Sequence, residues 1–167
     1  MGPYWLNRED IQLGIMPRPR GHDWLSDDLR NLRQAGVDVL VSALTPSESE
    51  ALGLMAEAEE CARNGLHFIS FPVEDRSLPE NGGDFRALIN RLVELSKSQK
   101  SVVIHCRAGI GRSSLIAACV LTSLGWTPDA AFIAIAEARG CSVPDTPEQR
   151  QWVELYDPYR AATRNFE

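Results

Sequence analysis

The stretch SVVIHCRAGIGRSSLIAACVLTSLG, residues 101–125, restricts the available folds more than any other part of the chain. It opens as a short β-branched apolar run that ends on Cys106. It then spends two glycines, Gly109 and Gly111, on a tight turn and enters a helix at Arg112. A short apolar run of this kind, bounded by turn formers, is a buried strand. The following segment is apolar nearly all round, as expected of a helix packed on several sides. Strand, turn and buried helix in that order predict one unit of a parallel sheet covered on both faces.

The rest of the chain repeats the pattern. Residues 11–16, 37–43 and 66–71 read as further strands, and residues 26–36 read as a helix closed by Gly36. Thr45, Pro46 and Glu48 form a capping box with proline at the first helical position, which predicts one helix from there to Gly65. Phe85, Leu88, Ile89, Leu92 and Val93 share one helical face. Thr127-Pro128 opens a helix ending near Arg139-Gly140, and Thr146-Pro147-Glu148-Gln149 starts another that runs toward Tyr159. The expectation is an α/β fold: a central, mostly parallel sheet of four to five strands flanked by helices, with a helical C-terminal third. At 167 residues, 44% of them hydrophobic, the chain suits one domain, residues 1–167.

A net charge of −6 argues against a nucleic-acid binder, which needs a broad basic face. No run approaches the roughly 20 apolar residues of a membrane span, and the start has no leader pattern. Leu6 breaks the myristoylation pattern that Met-Gly would open. Cys61, Cys106, Cys119 and Cys141 form no CxxC pair in a chain too large to need staples, so reduced thiols, a cytoplasmic location and a monomer are expected.

The loop from Cys106 to Arg112 has its own chemistry. A glycine-containing turn from a strand into a helix aims consecutive N–H groups at one point, beside the positive end of the helix. That field favours thiolate over thiol at Cys106, and Arg112 adds a full charge. Arg112 also offers a planar fork to two oxygens of a tetrahedral anion, which lysine cannot match.

His105, Cys106, five residues, Arg112 and Ser113 together resemble the signature of the cysteine-dependent protein tyrosine phosphatases. The short length is similar to the dual-specificity branch, especially its small atypical members and the relatives of cyclin-dependent-kinase-associated phosphatase. The resemblance extends over roughly residues 11–155, through GIMPRPRGHDWLSDDLRNLRQAGVDVLVSALTPSE, GLHFISFPVEDRSLP and GCSVPDTPEQ. It implies a phosphomonoester hydrolase acting on phosphotyrosine proteins, and also on phosphoserine and phosphothreonine, without metal or cofactor. Cys106 would attack phosphorus, and Arg107, Ala108, Gly109, Ile110, Gly111 and Arg112 would hold the phosphate oxygens. Ser113 would assist the departing sulfur, and His105 would orient the loop.

The resemblance also supplies an acid: Asp75, on the loop after Pro72, with Glu74 as the adjacent competitor. Gln149 either positions water, as its counterpart in the family can, or simply caps its helix. The resemblance further implies that Glu50 or Glu48 pairs with Arg112 and locks its fork; Glu50 is favoured, because Glu48 is occupied by capping. Arg139 either touches the site or complements the negative end of its helix, and the helix-end role is favoured. The alternatives are a small-molecule or phosphoinositide phosphatase, a sulfurtransferase, and a phosphopeptide-binding protein without turnover. Only three histidines exist, without zinc-ligand spacing, so no metal is expected.

Overall fold

The computed structural model describes residues 2–158 apart from 7, 9 and 81. Among these residues five strands form one sheet: β1 (Tyr4–Trp5), β2 (Leu13–Pro17), β3 (Val39–Ser42), β4 (His67–Ser70) and β5 (Val102–Cys106). Their order is β1-β2-β5-β3-β4, and only the β1–β2 pair is antiparallel. Among the described residues seven α-helices surround it: α1 (Leu25–Gln34), α2 (Pro46–Ala51), α3 (Glu57–Arg63), α4 (Gly82–Lys97), α5 (Arg112–Ser123), α6 (Pro128–Arg139) and α7 (Pro147–Leu155). Tyr159, toward which the last helix was expected to run, lies outside the described residues.

Alternation along the strands divides the core in two. Leu13, Ile15, Val39, Val41, Val102, Ile104 and Cys106 face one layer, which holds the buried residues of α4, α5, α6 and α7. Met16, Leu40 and Val103 face the other, where Leu25, Leu29 and Leu32 of α1 pack with Cys61 of α3. The two-residue period of a strand sends neighbours to opposite faces. Both faces are covered, so the central strands β2, β3 and β5 carry almost no polar residues.

The single helix expected between Thr45 and Gly65 is instead two, α2 and α3. Gly53 breaks it with φ of 70°, a conformation L side chains rarely adopt. Its carbonyl accepts from the His22 N–H at 2.9 Å, and a side chain at Gly53 would collide with the His22 ring. The capping patterns at both ends were real; the interruption between them serves packing against the segment after β2.

Phe85 ties the helical layer together. It is fully buried and meets Phe71, Trp152 and Tyr156 edge-on, with centroids 5.9, 6.0 and 5.7 Å away. Such contacts add to the burial itself. Phe85→Ala should therefore cost about 3–5 kcal/mol of stability, measured as a shift in the urea midpoint. A loss below about 1 kcal/mol would place the centre of this layer elsewhere.

Candidate active site

The parallel strands end together: Pro17 pairs with Cys106, and Ser42 with His105. From β2 the chain turns to α1 on one face, and from β5 to α5 on the opposite face, which opens a crevice at their carboxyl ends. The segment after Cys106 fills it.

That segment has its carbonyls turned outward. Arg107 O accepts from the Arg18 N–H at 3.2 Å, Ala108 O from Arg139 Nη2 at 3.2 Å, and Gly109 O from Arg139 Nε at 3.1 Å. In a trans peptide the N–H points opposite to the C=O, so the amides of Ala108, Gly109 and Ile110 are directed inward. Gly109 has φ of 68°, and a side chain there would overlap the Met16–Pro17 backbone. Gly111 caps α5 without a side-chain hydrogen bond, and no acidic residue occupies the first turn of that helix. The result is an electropositive cradle with Cys106 at its base, 3% exposed. Cys106 Sγ lies 3.4 Å from Ser113 Oγ, which is fully buried.

The Arg139 contacts correct the expectation that this side chain only complements its own helix end. It spans from the last turn of α6 to the loop, with its guanidinium 4.4 Å from the centre of the Tyr4 ring. A second correction concerns Arg112. Its partner is Glu48, not Glu50: Nη1 donates to Glu48 Oε2 at 2.7 Å and Nη2 to Oε1 at 2.9 Å. Capping does not exhaust Glu48, because a carboxylate offers about four acceptor sites and Oε2 also takes the Thr45 N–H at 3.0 Å.

Arg112 is 2% exposed, the largest fully buried side chain among the described residues, and both of its terminal nitrogens have further partners. Nη1 reaches Val73 O at 2.8 Å, and Nη2 reaches Asp75 Oδ1 at 3.1 Å. Burial alone would push the Glu48 carboxyl up, but the Arg112 hydrogen bond, the Thr45 N–H and the guanidinium charge hold it below its ordinary value. Burial alone would lower Arg112; the Glu48 hydrogen bond and then the charges of Cys106, Glu48 and Asp75 raise it instead.

Asp75 thus stands beside the fork, half exposed, while Glu74 is an exposed neighbour. Gln149 is fully buried and does cap α7, its Oε1 accepting from the Asp145 N–H at 3.1 Å and the Thr146 N–H at 3.3 Å. Arg107 is half exposed, with Nε 3.7 Å from Glu48 Oε1.

Two residues escaped the sequence reading. Glu57 of α3, 2% exposed, places Oε1 2.6 Å from His105 Nε2, while His105 Nδ1 lies 3.3 Å from Cys106 O. Asp145 sits so close to Gly111 that a side chain there would strike its carboxylate. Among the other thiols, burial followed by the charges of Glu57 and Glu60 pushes Cys61 up to about 12, and burial also pushes Cys119 up. Among the described residues no group of three His, Cys, Asp or Glu side chains gathers as a metal site would, and no helix is long and apolar enough to cross a membrane.

Comparison with known proteins gives one consistent picture. The family model "Dual specificity phosphatase, catalytic domain" matches residues 31–158. The chain is 30% identical over 133 residues to mouse Dual specificity protein phosphatase 2, covering 78% of this chain and 38% of that protein. It is 24% identical over 140 residues to rat Cyclin-dependent kinase inhibitor 3, covering 83% of this chain and 66% of the relative. Among solved structures, kinase associated phosphatase with its catalytic-site cysteine replaced by serine superposes with a TM-score of 0.78 at 22% identity, over 84% of this chain and 83% of that one. Tk-PTP in its active form gives 0.72 at 19% identity, over 91% and 92%.

The Glu48–Arg112 pair predicts a pH signature. A carboxyl held lower in the folded than in the unfolded chain adds stability above its unfolded value and loses it as pH falls through the folded one. Wild type should therefore exceed Glu48→Gln in urea midpoint at neutral pH, and the gap should close below the ordinary glutamate value of about 4.3. A gap independent of pH would mean that Glu48 acts through shape alone.

Proposed function

The chain belongs to the dual specificity phosphatase catalytic-domain family, and on that premise we propose that it hydrolyses phosphomonoesters through a cysteinyl-phosphate, without metal or cofactor. The observation that carries this reading is a convergence: the sulfur of Cys106 lies at the base of a cradle of inward amides, with a buried arginine fork and a carboxyl, Asp75, at its side.

In the first step Cys106 Sγ attacks phosphorus and the bond to the leaving oxygen breaks, while Asp75 transfers its proton to that oxygen. The inward amides and Arg112 stabilise the equatorial oxygens, which carry charge in the transition state. Glu48 holds the fork rigid, so little reorganisation is left for the moment of reaction. In the second step Asp75 accepts a proton from water as the water oxygen bonds to phosphorus. The P–S bond breaks, and Ser113 Oγ–H donates a hydrogen bond to the departing sulfur. Thiolate and protonated acid are restored.

For substrate we propose phosphoproteins, with phosphotyrosine preferred and phosphoserine and phosphothreonine accepted, on the family relationship. Arg107, half exposed at the rim, favours acidic residues beside the phosphate. A reducing cytoplasm suits the free thiols, and the proposal takes the chain as a monomer.

Cys106→Ser should abolish turnover of a phosphotyrosine peptide while vanadate binding persists; hydrolysis near the wild-type rate would exclude the covalent route. Arg112→Lys should lose about two orders of magnitude in kcat/KM, since a point charge cannot replace a bidentate fork. Unchanged kinetics would put Arg112 outside the phosphate cradle.

A further inference from the structure

The turn that carries Asp75 is pinned at both ends. Ser77 N–H donates to Glu74 O at 3.0 Å, which closes a turn with Asp75 and Arg76 at its centre and Arg76 in the left-handed region at φ 57°. On the entry side, Val73 O accepts from Arg112 Nη1 at 2.8 Å, and Val73 N–H donates to Ala43 O at 3.0 Å. On the exit side, Ser77 O accepts from Gln149 Nε2 at 3.3 Å.

The neighbours of Gln149 dictate which way its amide faces. Two backbone donors, the N–H groups of Asp145 and Thr146, converge on Oε1. Reversing the amide would set NH₂ against both and leave Ser77 O facing an oxygen. Oε1 also lies against the signature loop, close enough that a side chain at Gly111 would come within 3.0 Å of it. One buried side chain therefore joins the start of α7, the phosphate cradle and the acid turn.

This matters most when substrate is bound. Asp75 is half exposed, and its side chain is held by Arg112 Nη2. A phosphoryl group entering the cradle competes for that donor. The anchors of the turn itself then decide where the carboxyl points.

We propose that Gln149 is a positioning residue for the general acid: by holding Ser77 O it aims Asp75 at the leaving oxygen. Its contribution falls on formation of the phosphocysteine, not on water attack in the second step. The inference rests on the reading of Cys106 as nucleophile and Asp75 as acid.

The test compares kcat/KM, which reports the first step, for phenyl phosphate and para-nitrophenyl phosphate. Gln149→Glu keeps an oxygen where the capping box needs one and removes the donor to Ser77. Gln149→Met, similar in size, removes the donor without adding a buried charge, and Thr146→Ala removes the cap while keeping the donor. In both Gln149 variants the ratio of para-nitrophenyl to phenyl phosphate kcat/KM should rise by roughly tenfold or more, as misplacement of an acid by about 1 Å implies. Thr146→Ala should leave that ratio unchanged, and no variant should show a burst of para-nitrophenol.

Equal losses on both substrates would overturn the proposal in favour of a purely structural role. Unchanged kcat/KM with a burst and a lower kcat would overturn it in favour of water positioning. The underlying reading fails separately: wild type would hydrolyse neither ester, Cys106→Ser would match wild type, or Asp75→Asn would leave the ratio unmoved.

Discussion

A guanidinium buried to 2% exposure is the constraint around which the site is organised. Removing a charge from water costs several kcal/mol unless partners compensate it. Arg112 finds them on two separate segments: Glu48 at the start of α2, and the acid turn, through the Val73 carbonyl at its entry and Asp75 within it. Neither of these segments is adjacent to Arg112 in sequence. Satisfying one charge therefore brings together the loops that the proposed catalysis needs.

The sheet makes this economical. Because β2, β3 and β5 end in register, three loops emerge at one level, and the cradle needs only short reaches to close. Arg18 and Arg139 hold its carbonyls outward from two sides, while Glu57 reaches His105 from beneath. These three residues contact the loop's carbonyls and His105. They shape the backbone that would hold the phosphate.

Much of the fold is legible in the sequence. β-branched runs marked β2, β3, β4 and β5, and capping boxes marked the starts of α2 and α7. The signature loop stands out in the sequence because eight consecutive positions, Cys106 to Ser113, make it up. What stayed hidden depends on tertiary proximity. Tyr4–Trp5 is too short to show a period, and β1 exists only because β2 offers an edge. The break at Gly53 answers to His22, some thirty residues earlier. Glu57 looks like an ordinary mid-helix acid until α3 packs beneath the end of β5. Glu48 was set aside because a cap was assumed to use up a carboxylate, and Arg139 because the nearest explanation was its own helix.

The claim that unites these observations is that phosphate is carried on the sulfur of Cys106. Rapid acid quench of the enzyme during turnover of an aryl phosphate, followed by peptide mass spectrometry, tests it directly. The account predicts one phosphoryl group on the peptide containing Cys106, bound through sulfur and absent in Cys106→Ser. Turnover without a trapped adduct, or a phosphoryl group on any other residue, would contradict it.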